Sequence, residues 1–130
     1  MNRRTFSACL VLAILSATLA CTVFRSGPAS TVKEFYDKVA SGEIDGALNL
    51  LSGQFRTQFG DQKLRAALTE QARQIKQQKG GVKSIETKSE DIQGELATVT
   101  VLITYTNGST QTDTTHLVKE SGYWRITPSK

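Results

Sequence analysis

ELATVTVLITYTNGSTQTDTTHLVKESGYWRI, residues 95–126, reads as three antiparallel strands in succession. Ala97, Val99, Val101, Ile103 and Tyr105 fall on one side of the first strand, and Thr98, Thr100 and Thr104 on the other. This period of two marks a strand with one buried face, and β-branched residues suit such a pleated surface. Asn107-Gly108 predicts a two-residue type I′ turn. That turn pairs Tyr105 with Thr110, Ile103 with Thr112, Val101 with Thr114, Val99 with His116 and Ala97 with Val118. Cross-strand partners share a face, so Thr110, Thr112, Thr114, His116 and Val118 are expected inward and Asp113 outward. The next turn is either Ser121-Gly122 or Glu120-Ser121-Gly122. In this register only the three-residue turn, closed by a left-handed glycine, brings Trp124 and Ile126 onto the face of Val99 and Val101. It is therefore the expected one, with Val118 opposite Trp124 and His116 opposite Ile126.

Upstream, the apolar positions change to a helical period. Val32, Phe35, Tyr36 and Val39 lie at i, i+3, i+4 and i+7, in a helix that begins at Pro28 or Thr31 and stops at Gly42. Thr31 and Glu34 have the spacing of a capping box. Glu43–Leu51 predicts a second, short helix, and Ser52–Gly60, with Phe55 and Phe59, a link. A third helix follows, capped by Asp61, with Leu64, Leu68 and Ile75 inside and Gly80-Gly81 at its end. Val82–Ile92 is a polar strand suited to a sheet edge. A sheet with one apolar face needs a cover, and these helices are available to supply it. The expected architecture is α+β: three N-terminal helices packed on a curved, four-stranded antiparallel sheet, cone-shaped, over residues 31–130.

The first twenty residues have a different character. Arg3 and Arg4 precede an apolar run from Ala8 to Leu19, which reads as an export signal over residues 1–20. Thr18-Leu19-Ala20-Cys21 resembles the lipobox of bacterial lipoproteins, although Thr18 stands where that family has leucine. The resemblance implies cleavage before Cys21, lipidation of its thiol and acylation of the new N-terminus, for instance with palmitate. Residues 21–30 then form the lipidated N-terminus and tether. Cys21 is the only cysteine left once Cys9 departs with the signal, so no intramolecular disulfide is expected. Thr22, in place of aspartate, would in lipoproteins of Gram-negative bacteria favour the outer membrane, facing the periplasm. Loss of Arg3 and Arg4 leaves fourteen basic residues against twelve acidic ones. A charge near +2 argues against nucleic acid as a partner.

The order of elements is similar to the nuclear transport factor two-like superfamily, in its small bacterial lipoprotein branch of unknown function. Thr31–Gly42, Ala47–Leu51, Gly80-Gly81-Val82-Lys83-Ser84-Ile85, Ala97–Tyr105 and Gly122-Tyr123-Trp124-Arg125-Ile126 carry the likeness. Members range from isomerases and dehydratases to non-catalytic carriers, so the resemblance implies a fold more than an activity.

Six residues are candidates for a pocket in the cone: Tyr36, Tyr105, Thr112, Thr114, His116 and Trp124. His116, the only histidine, has the chemistry of an acid or base near neutral pH. Its plainer role is a hydrogen-bonded core or rim histidine. Catalysis would also want an inward carboxylate, and Asp37, Asp45 and Asp113 are all expected outward. Tyr36, Tyr105 and Trp124 combine apolar bodies with polar handles, yet such residues are more often simple core. Arg65, Arg73, Lys76, Lys79 and Lys83 form a basic group expected to face solvent, with anionic lipid headgroups or an acidic partner as the alternatives. One histidine and no cysteine pair give no metal site, and no cofactor motif is present. The leading expectation is a membrane-anchored envelope lipoprotein whose domain binds a small apolar ligand or an envelope protein without catalysis. The alternatives are an isomerase or dehydratase using His116 as base, and an envelope-assembly or immunity module with a filled core.

Overall fold

The computed structural model describes residues 27–129. The helices are α1 (Pro28–Ser41), α2 (Ile44–Leu48), α3 (Gly53–Phe59) and α4 (Asp61–Lys79). The strands β1 (Val82–Gln93), β2 (Leu96–Tyr105), β3 (Thr110–Glu120) and β4 (Tyr123–Thr127) follow in sequence order and pair antiparallel in that order. The sheet is curved and unclosed, and the architecture is α+β, as expected. β1 contributes to the bending through register shifts at Val82/Ser84 and Thr87/Ser89, since a bulge bends its strand. As expected, β1 is a polar edge: none of its residues is fully buried.

α1 follows Gly27 and begins with Pro28, a proline preorganised for the first turn. Thr31 does not form the expected capping box; its hydroxyl donates to the Gly27 carbonyl at 3.3 Å. The inner stripe of α1, Val32, Tyr36 and Val39, packs with Leu64, Leu68 and Ile75 of α4 over Val99, Val101 and Ile103 of β2. The expected three helices are joined by a fourth element, because Ser52–Gly60 contains α3. Ser52, fully buried, accepts from the Phe55 amide at 3.1 Å and so caps that helix. Its own amide donates to the Ile126 carbonyl at 2.7 Å, tying the segment to β4.

Both hairpin turns differ from expectation. The β2–β3 loop has three residues, Thr106-Asn107-Gly108. Tyr105 N donates to Ser109 O at 2.8 Å, and Gly108 N donates to Tyr105 O at 2.9 Å. Gly108 takes the left-handed conformation at φ 88°, while Asn107, which a type I′ turn would also place there, does not. The cause is tertiary. Asn107 N donates to Lys79 O at 3.1 Å and Thr106 N to Gly81 O at 2.9 Å, so the end of α4 fixes the loop. The pairing is Thr104 with Thr110, one residue from the predicted register, and the slip reverses every side chain of β3. Gln111, Asp113, Thr115 and Leu117 face the helices. Thr110, Thr112, Thr114, His116 and Val118 face away.

The β3–β4 turn is the two-residue one. Ser121 at φ 51° and Gly122 at φ 82° are both left-handed, as a type I′ turn requires. Leu117 therefore pairs with Ile126 and Lys119 with Trp124. This second shift cancels the first, and Trp124 and Ile126 are buried as expected.

Candidate functional site

The concave side of the sheet and the helices enclose an open cavity of about 420 Å³. Asp113, Thr115 and Ile126 form its floor, Phe35 and Tyr36 of α1 one wall, and Leu64, Leu68 and Gln71 of α4 another. Phe55 and Phe59 of α3 cover it. Helical spacing explains the α4 wall: Leu64, Leu68 and Gln71, four and three apart, share one side of the helix, while Phe35 and Tyr36 are neighbours on the apolar stripe of α1. The cover is fixed differently. No residue of α3 is buried, and polar contacts hold the helix at its ends. The Glu120 carboxylate accepts from the Gly53 amide at 3.1 and 3.2 Å, and Arg56 grips Asp61 through two bonds of 2.8 and 2.6 Å.

Inside this apolar lining, the Tyr36 hydroxyl donates to Oδ2 of Asp113. Burial raises the Tyr36 pKa well above the usual tyrosine value, the hydrogen bond to Asp113 and that carboxylate's charge raise it further, and Tyr105 adds a smaller push. Tyr36 is thus a fixed donor at neutral pH. The rings of Phe35 and Tyr36 meet edge to face, 5.6 Å between centroids, and those of Phe55 and Phe59 lie 5.2 Å apart. Among the described residues Asp113 has no ion-pair partner. The arrangement can hold an apolar body against aromatic walls and offer one carboxylate to a donor.

A second depression, of about 530 Å³, lies on the convex side. Asp91, Thr98, His116 and Thr127 form a row across all four strands there. His116 Nδ1 stands 3.4 Å from Thr98 Oγ1.

Of the six predicted pocket residues, Tyr36 alone lines the concave cavity. Tyr105 is buried beside it, donating to Gln111 at 3.0 Å with the Lys79 ammonium 4.1 Å over its ring. Trp124 is core, with Lys119 Nζ 5.6 Å from its centroid. Thr112, Thr114 and His116 lie on the convex face, because of the register slip. Asp113, expected outward, is the inward carboxylate. Phe55 and Phe59 belong to the cavity and not to a link. The signals for both were present. Leu117 shares its parity with Asp113, and Ser52 stands three residues before Phe55 as a helix cap. The basic group of α4 is partly neutralised locally, Arg65 by Asp45 and Arg73 by Glu70. Among the described residues no three His, Cys, Asp or Glu side chains gather in a metal-holding group.

The model of a family described as "Domain of unknown function (DUF4878)" matches residues 20–127. No curated protein matches the chain. Among solved structures, a Campylobacter jejuni protein described as an NTF2-like transpeptidase is similar with a TM-score of 0.69 and 24% identity, over 80% of this chain and 100% of that one. A SEC-C motif containing protein from Rhodopseudomonas palustris is similar with a TM-score of 0.55 and 14% identity, over 81% of this chain and 80% of that one. At these identities the likeness concerns the fold.

Proposed function

Because the chain belongs to the DUF4878 family, a domain of unknown function on an NTF2-like fold, its site must supply the functional reading, and we propose a non-catalytic binding domain for a small apolar ligand. One observation carries this reading: a cavity of about 420 Å³ whose apolar lining is interrupted by the Tyr36–Asp113 pair. Its volume falls within the range of small-molecule sites, and few, placed polar groups in an apolar lining are their usual composition. An isomerase or dehydratase using His116 as base has less support, since His116 lies on the other face of the sheet from this cavity.

The proposal includes an anchor. Thr18-Leu19-Ala20-Cys21 supports lipidation of Cys21 in the bacterial envelope, at the outer membrane facing the periplasm; these residues lie outside the described ones. Among the described residues no helix is long and apolar enough to cross a membrane. If Cys21 carries the lipid, the six residues to Gly27 span at most about 20 Å, so the domain works close to the bilayer. Labelling with a palmitate analogue tests the anchor: the wild type incorporates it and Cys21→Ala does not, and equal labelling of both contradicts it.

The binding reading is tested by native mass spectrometry of the full chain, purified gently from the envelope. The wild type and His116→Ala carry a small-molecule mass, and Thr115→Phe, which fills the cavity floor, loses it. A mass retained by Thr115→Phe, or a bare wild type, contradicts the reading.

A further inference from the structure

Resting on the reading of the concave cavity as a ligand site, we propose that its ligand is an organic cation: a small apolar or aromatic amine whose ammonium meets Asp113. Three features of the lining converge on this class. First, Asp113 is the one charged side chain among the residues that line the cavity, and no lysine or arginine accompanies it there. Lys79 is engaged over the Tyr105 ring, and among the described residues no ion pair joins it to Asp113. Second, the internal partner of Asp113 is a neutral hydroxyl. Tyr36 donates to Oδ2 and balances no charge, while Oδ1 has no hydrogen-bond partner among the described residues. A carboxylate beside apolar walls is stabilised most by a charged donor, which an ammonium supplies and an alcohol does not.

Third, the walls are aromatic as well as apolar. Phe35, Tyr36, Phe55 and Phe59 surround the cavity from two helices, and the negative faces of such rings attract cations. A carboxylate ligand would meet the opposite arrangement: repulsion from Asp113 and no basic group to receive it. Fatty acids and other anionic lipids are therefore disfavoured as occupants. Neutral apolar molecules fit the walls and leave the Oδ1 acceptor without a charged partner.

The test uses a matched pair of probes, 2-phenylethylammonium and 2-phenylethanol, titrated at neutral pH into the full chain and followed by amide chemical shifts. The wild type binds the amine at least about tenfold tighter than the alcohol, with shifts centred on Phe35, Phe55 and Thr115. Asp113→Asn, close to isosteric, brings the affinities of the two probes within about twofold of each other. Equal affinities of the two probes for the wild type overturn the cation and leave the apolar site standing. An amine preference that survives in Asp113→Asn removes Asp113 from recognition and overturns the proposal. Failure of both probes to bind overturns the cation together with the ligand site it rests on. The wild-type comparison stands by itself if Asp113→Asn does not fold.

Discussion

β3 shows the two sides of this sheet within a single strand. Its concave side presents Gln111, Asp113, Thr115 and Leu117; its convex side presents Thr110, Thr112, Thr114, His116 and Val118. The composition of these sets distinguishes them only weakly: each has one aliphatic and one titratable group, with one threonine and a glutamine on the concave side and three threonines on the convex side. The helices make the difference. Below them Leu117 is buried and Asp113 enters an apolar cavity, whereas across the sheet Thr100 and Thr114 exchange a hydrogen bond of 3.1 Å at an exposed position. The chemistry of a side chain on this strand is thus set by its parity. One residue of slip would exchange Asp113 for His116 as the titratable group in the pocket.

That contrast is open to direct attack. The largest difference is expected in packing. Leu117→Ala empties a closed position, 1% exposed, and costs about 2–4 kcal/mol in urea unfolding, against less than about 1 kcal/mol for Val118→Ala on the convex side. Similar losses for the two variants would mean that β3 is not faced as described. Next comes the loop that fixes this parity. Gly108→Val forces a β-branched residue into a left-handed conformation, and about 1–3 kcal/mol is lost. A neutral substitution would show that the loop is not held at φ 88°.

Tyr36 supplies a pH-dependent contrast. Its pKa is raised in the folded state, so above the ordinary tyrosine value of about 10 the unfolded chain releases a proton that the folded chain keeps. Stability conferred by the protonated hydroxyl is whole below that pH and declines as pH rises beyond it. Wild type loses up to about 1.4 kcal/mol per pH unit more than Tyr36→Phe there, measured as the difference in unfolding free energy. Parallel pH curves for the two proteins would contradict a buried Tyr36. The smallest effect belongs to His116→Ala, expected within about 1 kcal/mol of wild type and without effect on occupancy of the concave cavity. A loss of ligand in this variant would transfer the site to the convex depression.

Much of this architecture can be read from residues alone. The alternation from Ala97 to Tyr105 gives β2 and its buried face, the stripe Val32, Phe35, Tyr36, Val39 gives α1, and the polarity of Val82–Ile92 gives an edge. The pocket is harder to read, because it depends on the register of β3. Asn107-Gly108 is a strong local signal for a two-residue turn, yet the carbonyls of Lys79 and Gly81 capture the amides of Asn107 and Thr106 from outside the hairpin. Local turn chemistry yields here to a tertiary contact made across more than twenty residues of sequence. Leu117 is the residue that reveals the true parity, because a two-residue Ser121-Gly122 turn joined to an inward Leu117 also buries Trp124 and Ile126. α3 is legible from Ser52 as a helix cap, although its short length and unburied side chains give no periodic apolar stripe to mark it.

The measurement closest to the central claim is an amide chemical-shift map of the full chain titrated with 2-phenylethanol, a neutral apolar probe that fits either depression. With the ligand site on the concave face, the shifts concentrate at Phe35, Phe55, Asp113 and Thr115, and they vanish in Thr115→Phe. Shifts centred instead on Thr98, His116 and Thr127, or none at saturating probe, would contradict the account.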